Sequence, residues 1–186
     1  MVLNEELTWA DVGAIETDSA AKTTVADAFQ LAFGEPSKDK LGAGMSLYKF
    51  NNYPSISAND PPPADHEMTP WWTATKPYKH DGGLEQKLKI AEANGVSARE
   101  WGRLTSVIKE EWSSLAYILT IQLEVPVYAW FGGFKGMNRT DAPADKSKRD
   151  KAVEASGSTK LPGGGTQFYI PNLTFGCIKT FSIKPI

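Results

Sequence analysis

Gln167 is the polar side chain whose neighbours in the sequence best suit it to meet a ligand. It follows Leu161-Pro162-Gly163-Gly164-Gly165-Thr166 and stands directly before the apolar run Phe168-Tyr169-Ile170, which Pro171 ends. Three successive glycines let a backbone take positive φ and come close to a bound molecule. An amide at the mouth of a short strand holds two donors and an acceptor in a fixed place. Gly164, Gly165 and Gln167 therefore read as a ligand clamp. The same residues also read as a flexible turn that opens a hairpin.

Other residues with chemical potential lie upstream. Met45-Ser46-Leu47-Tyr48-Lys49-Phe50 alternates as a strand does, which puts Lys49 on the face opposite Tyr48 and Phe50. A solvated edge accounts for that lysine, and so does a basic group turned into a cleft. Thr69-Pro70-Trp71-Trp72-Thr73 sets two indoles side by side. In extended backbone they point to opposite faces, one able to wall a flat ring while the other packs on the core. Arg99 and Arg103 lie one helical turn apart, as a solvated face or a pyrophosphate clamp would have them.

Several chemistries are disfavoured. His66 and His80 are the only histidines, too few and too far apart for a zinc site of helical spacing or a supported nucleophile–histidine triad. The glycine run lacks the Lys-Ser or Lys-Thr of a phosphate loop and the strand–turn–helix setting of a dinucleotide fingerprint. Cys177 is the single cysteine and sits in a strand-like run, as a small buried hydrophobe does. What remains is a set of aromatic, amide and basic groups without a strong base. Such a set suits a bond whose leaving group departs readily, and the nicotinamide glycosidic bond of NAD is of that kind. The site would bind, orient and stabilise developing positive charge. No metal is expected.

The elements that must position these residues follow from periodicity. Residues 1–18 read as a loose polar start. Ala20–Phe33 reads as a helix with Val25, Phe29 and Phe33 on one face, stopped by Gly34 and Pro36. Asn51–Glu67 is a proline-rich connection. A helix over Gly83–Ala93 closes at Asn94-Gly95. The next opens on a Ser97/Glu100 capping box and carries Trp101, Leu104, Ile108 and Trp112 towards the core. Strands are expected at Tyr117–Val125, broken from Val127–Phe131 at Pro126, then at Gln167–Ile170 and Thr174–Ile183. Asn138–Lys160 reads as a long exposed loop. The succession of helix, strand, helical hairpin and several strands defines an α+β chain. It divides into an N-terminal helical appendage over 1–40 and a ligand-binding domain over 41–186.

Composition agrees with a folded domain of 186 residues, 41% hydrophobic and 23% charged. A net charge of −2 provides no electrostatic footprint for nucleic acid. No apolar run approaches a membrane span, and no signal segment is visible.

Pro126–Phe131 together with Gly163-Gly164-Gly165-Thr166-Gln167-Phe168-Tyr169 resembles the C-terminal part of NAD glycohydrolase domains of the tuberculosis necrotizing toxin type. Leu47-Tyr48-Lys49, Thr69-Pro70-Trp71-Trp72 and Gln167 also resemble the three-part strand layout of ADP-ribosyltransferase-like toxins. That resemblance implies antiparallel sheets around an NAD cleft, with the helical hairpin as an insert. It implies Gln167 as the catalytic glutamine and Lys49 at the NAD phosphates. Tyr48, Thr69, Trp71, Trp72, Gly164 and Gly165 would complete the NAD site. It further implies an effector acting in a target-cell cytoplasm and an immunity-type protein partner. The sequence departs from the family pattern in carrying Lys49 where arginine is usual and in the insertion from Met137 to Lys160. It also carries no glutamate at Gln167 or two residues beyond. The missing glutamate favours hydrolysis over mono-ADP-ribosyl transfer, which would draw an acid such as Glu110, Glu111 or Glu154 from elsewhere. A non-catalytic binding module with core aromatics is the third reading.

Overall fold

In the computed structural model, which describes residues 2–52, 68–140 and 159–186, the runs that alternate in the sequence become strands. In chain order the elements are α1 (Trp9–Gly13), β1 (Glu16–Asp18), β2 (Thr23–Thr24), β3 (Ser37–Leu41), β4 (Ser46–Asn51) and β5 (Trp71–Ala74). Then come α2 (Leu84–Ala93), α3 (Ala98–Ser106), β6 (Tyr117–Leu123), β7 (Val127–Gly133), β8 (Met137–Asn138), β9 (Lys160–Leu161), β10 (Thr166–Tyr169) and β11 (Ile178–Pro185). Seven strands form one sheet in the order β11-β6-β4-β5-β10-β7-β3, with every neighbouring pair antiparallel. Few helices and antiparallel pairing make this an α+β fold, as expected.

The two faces of the sheet bury different partners. Leu47, Trp72, Leu119, Ile121, Ala129, Phe131 and Phe168 belong to one apolar cluster, which β3 and β11 reach from the two edges through Leu41 and Phe181. The opposite face carries two smaller cores. Tyr48, Phe50 and Ile118 pack with Leu84 of α2 and Leu115, with Trp101 of α3 alongside. Trp130 and Tyr169 pack with Val12, Val25 and Phe29 of the N-terminal segment. The helical hairpin and the N-terminal segment thus share one side, with the β5–β10 region between them.

β5 joins two half-sheets by narrow seams. It pairs with β4 at Leu47↔Ala74 and Tyr48↔Thr73, where Thr75 N–H also donates to Ser46 O, and with β10 at Phe168↔Trp72 and Tyr169↔Trp71, where Ile170 N–H also donates to Pro70 O. By contrast β4 and β6 pair over six residues.

Several elements differ from the sequence expectation. Ala20–Phe33 is not a helix: it forms β2, a 3₁₀ turn at Val25–Ala28 and extended chain from Phe29. Val25 and Phe29 are buried as their i, i+4 spacing suggested, but a 3₁₀ turn delivers them. Phe33 is 97% exposed. Of the 1–40 segment only Trp9–Gly13 is α-helical, and Ser37–Leu41 is an edge strand of the main sheet. The start is also tied down, since the Asn4 amide donates to the carbonyls of Tyr128 and Pro171. The last strand begins at Ile178, after a 3₁₀ turn at Phe175–Cys177.

α3 starts at the expected cap, where Ser97 Oγ accepts the Glu100 N–H, but only this half of the capping box forms, since the Glu100 carboxylate takes the Arg139 guanidinium. It stops at Ser106, with Val107 left-handed at φ 53°. The cause lies in the glycine loop: Gly163 N–H donates to Leu104 O and Gly165 N–H to Thr105 O, the carbonyls a further helical turn would use. Trp112 consequently lies beyond the helix and is exposed, against expectation, while Trp101, Leu104 and Ile108 are partly buried. The long loop keeps its two ends in the β8–β9 pair. Positions 53–67 and 141–158, which hold most of the proline-rich connection and of that loop, lie outside the described residues.

Candidate active site

The three segments singled out in the sequence lie side by side. β4 carries Tyr48 and Lys49, β5 carries Trp71 and Trp72, and β10 carries Gln167; they are consecutive in the sheet. Tyr48 faces Thr73 across the first seam, and Gln167 faces Gly132 on β7. The Phe168↔Trp72 register, one step along, sets Gln167 beside Thr73. Tyr48, Thr73, Gln167 and Gly132 thus form one cross-strand row. The adjacent row on the same face contains Trp71, Tyr169 and Trp130. The Trp71 and Tyr169 rings are 4.6 Å apart between centroids, tilted by 60°.

This face is well connected by hydrogen bonds. Thr73 Oγ1 donates to the Thr166 carbonyl at 3.2 Å, and its hydroxyl also serves the Tyr48 phenol. Burial, helped by the charge of Asp81, raises the Tyr48 phenol well above its usual range, so it stays a neutral donor. Burial raises Tyr169 as well. Gln167 is 2% exposed, and its Nε2 donates to the Ala28 carbonyl at 2.9 Å. Its amide is therefore turned under the N-terminal segment rather than into an open cleft.

Lys49, Thr69 and Trp72 meet on the other face. Lys49 Nζ donates to Thr69 Oγ1 at 2.9 Å and sits 4.9 Å from the Trp72 ring centroid. Trp72 Nε1–H donates to the Thr69 carbonyl at 2.9 Å, which fixes the indole beneath the ammonium. Burial lowers the Lys49 pKa to about 8. Alternation along β4 and β5 separates Lys49 and Trp72 from the Tyr48–Gln167 row. The two tryptophans divide as adjacent strand residues must, Trp72 to the core and Trp71 towards Tyr169.

The glycines have distinct surroundings. A Cβ on Gly163 would stand 2.8 Å from Phe134 O, and one on Gly165 would stand 2.9 Å from Thr105 O. Gly165 therefore allows the close docking of the loop on α3, and Gly163 its close approach to the chain just after β7. Gly164, at φ +93°, has open space where a Cβ would be.

Sequence reasoning passed over Asp81. Its carboxylate accepts from Thr166 Oγ1 at 2.5 Å and pairs with Lys87 Nζ at 2.5 Å. Two residues before the Gly83 N-cap, Asp81 had a position that a scan for acids beside a helix start could have found. Arg139 is the second surprise. It lies 2% exposed, bridging Glu100 at 2.8 Å and Glu110 at 2.7 Å, while Arg103 also reaches Glu110 at 3.2 Å. Arg103 is no pyrophosphate clamp, because its other donors go to the carbonyls of Ile108 and Ser113. Glu110, one acid considered for a transferase, is held in this network. Glu154 lies outside the described residues.

Among the described residues no cluster of three or more His, Cys, Asp or Glu could hold a metal ion. No helix there is long and apolar enough to cross a membrane. Two open surface grooves, of about 590 and 540 Å³, lie away from the Gln167 row, beside Leu7 and Pro126 and beside Lys76 and Gln86. No protein family, curated protein or solved structure matches the chain.

Proposed function

We propose that this protein cleaves NAD at the nicotinamide glycosidic bond, releasing nicotinamide and ADP-ribose. The observation that carries the reading is the adjacency of β4, β5 and β10. Segments as remote as Leu47-Tyr48-Lys49, Thr69-Pro70-Trp71-Trp72 and Gly165-Thr166-Gln167 become neighbours in one sheet, which supports reading them as parts of a single site.

In this reading Gln167 orients the nicotinamide ribose or the attacking water. Tyr48 and Thr73 hold polar hydrogens in the same row, and Trp71 with Tyr169 offers the flat apolar wall. Lys49 and Trp72, on the other face, act at the seam and not beside Gln167, so a phosphate contact from Lys49 needs the half-sheets to separate. The buried amide of Gln167 favours a second reading, a non-catalytic binding module in which that side chain only fastens the N-terminal segment.

Incubating the purified protein with NAD and separating the products decides among the readings. Free nicotinamide with ADP-ribose supports hydrolysis, and ADP-ribose covalently attached to protein supports transfer. Unchanged NAD rejects both and leaves the binding module.

A further inference from the structure

We infer that the N-terminal segment around Ala28 and Phe29 acts as an internal plug, occupying the space at Gln167 that a substrate would take; this rests on the NAD reading above. The plug presents a carbonyl next to a flat ring. Ala28 O accepts the Gln167 Nε2 hydrogen at 2.9 Å. Phe29, 1% exposed, lies over Gly132, whose Cβ position would be 2.8 Å from the ring. The same ring meets Trp71 at 5.8 Å and Trp9 at 5.7 Å between centroids. A carbonyl on the amide and a ring against the indole satisfy the groups an aromatic carboxamide would satisfy. The missing side chain at Gly132 creates the room for either.

Beyond that ring the plug is held by Val25, buried in one core with Val12, Trp130 and Tyr169, and by a small set of bonds. Gln30 N–H donates to Gly133 O at 2.9 Å and Lys135 N–H to Ala28 O at 3.1 Å. Its leading edge is the 3₁₀ turn at Val25–Ala28, where the exposed Asp27 carboxylate accepts the Thr24 N–H at 2.9 Å and the Thr24 hydroxyl at 3.2 Å. Immediately after it the chain is open, with Leu31 and Phe33 exposed. Substrate and plug compete for Gln167, so the affinity seen for substrate falls by the fraction of molecules that are open.

The test loosens the turn from its solvent side, in the full chain. The double variant Thr24→Ala/Asp27→Ala removes the turn's side-chain bonds and leaves Gln167, Phe29 and the sheet intact. Loss of such a cap shifts an opening equilibrium by about fivefold. Two readouts are taken: amide exchange at Gln30 and Lys135, and nicotinamide release at NAD well below saturation. The plug requires both to rise together, by about fivefold. Phe29→Ala provides a second route to an open segment if exchange in the first variant is unmoved. Faster exchange with unchanged or slower nicotinamide release overturns the plug while leaving the NAD reading in place. No nicotinamide from any of the proteins overturns the NAD reading and the plug with it.

Discussion

Gln167 satisfies the Ala28 carbonyl in the resting fold, so its replacement has two separable effects. Gln167→Ala removes one buried hydrogen bond and should lower stability by about 1 kcal/mol in a thermal or urea melt. If the side chain also acts at the anomeric carbon, the barrier to nicotinamide release should rise by about 2–4 kcal/mol, seen in kcat and not in KM. A variant with the expected melt and undiminished turnover would remove Gln167 from the chemistry. Lys49 has its own signature. Its pKa is about 8 in the fold against 10.5 for an ordinary lysine, because burial disfavours the charge. Between those values the unfolded chain binds more protons than the folded one, so stability rises with pH from about 8 towards 10.5. Lys49→Met should be more stable than the parent at pH 7 and should lose that rise. The comparison is best read below pH 10, where unfolded tyrosines begin to ionise while Tyr48 does not. Parallel urea-stability profiles for the two proteins from pH 7 to 9.5 would contradict the burial of this ammonium.

At the scale of elements, the glycine loop and α3 depend on each other. Gly163→Ala meets both a positive φ of 79° and the Phe134 carbonyl, whereas Gly164→Ala meets only its φ. Gly164→Ala should cost about 1–2 kcal/mol, and Gly163→Ala about 1–3 kcal/mol more. Equal melts would mean that Gly163 does not pack against the Phe134 carbonyl. Arg139, just after β8, is tied to α3 through Glu100 and to the segment after that helix through Glu110, whose side chains keep 28% and 35% exposure. Arg139→Met should therefore cost about 1–3 kcal/mol, between an exposed and a fully buried pair, with the loss read as a lower urea midpoint. The strands that alternate, such as Ser46–Asn51 and Tyr117–Leu123, were legible because the period of two directly reports a face. Arg139 was not legible. Its partners lie 29 and 39 residues away, and a polar run gives no local sign that one of its charges is paired. The Ala20–Phe33 helix failed for a related reason: an i, i+4 apolar pair is buried equally well by a 3₁₀ turn followed by extended chain.

Across the whole molecule, the sheet order is what sequence could least supply. Alternation identifies strands, but their neighbours depend on contacts between segments more than a hundred residues apart, such as Leu47 on β4 and Phe168 on β10 in one core. The three motif segments were legible as candidates; that they become adjacent was not. Nor was the burial of Gln167, because nothing local to its motif points to Ala28, 139 residues away. The central claim is that this assembled row breaks the nicotinamide bond. The most direct measurement is the time course of free nicotinamide from NAD, run in parallel on the parent and on Gln167→Ala, both confirmed folded by their melts. Steady release by the parent, lowered by about thirtyfold or more in the variant, is the expected result. Release that is absent from the parent, or equal in both, would contradict it.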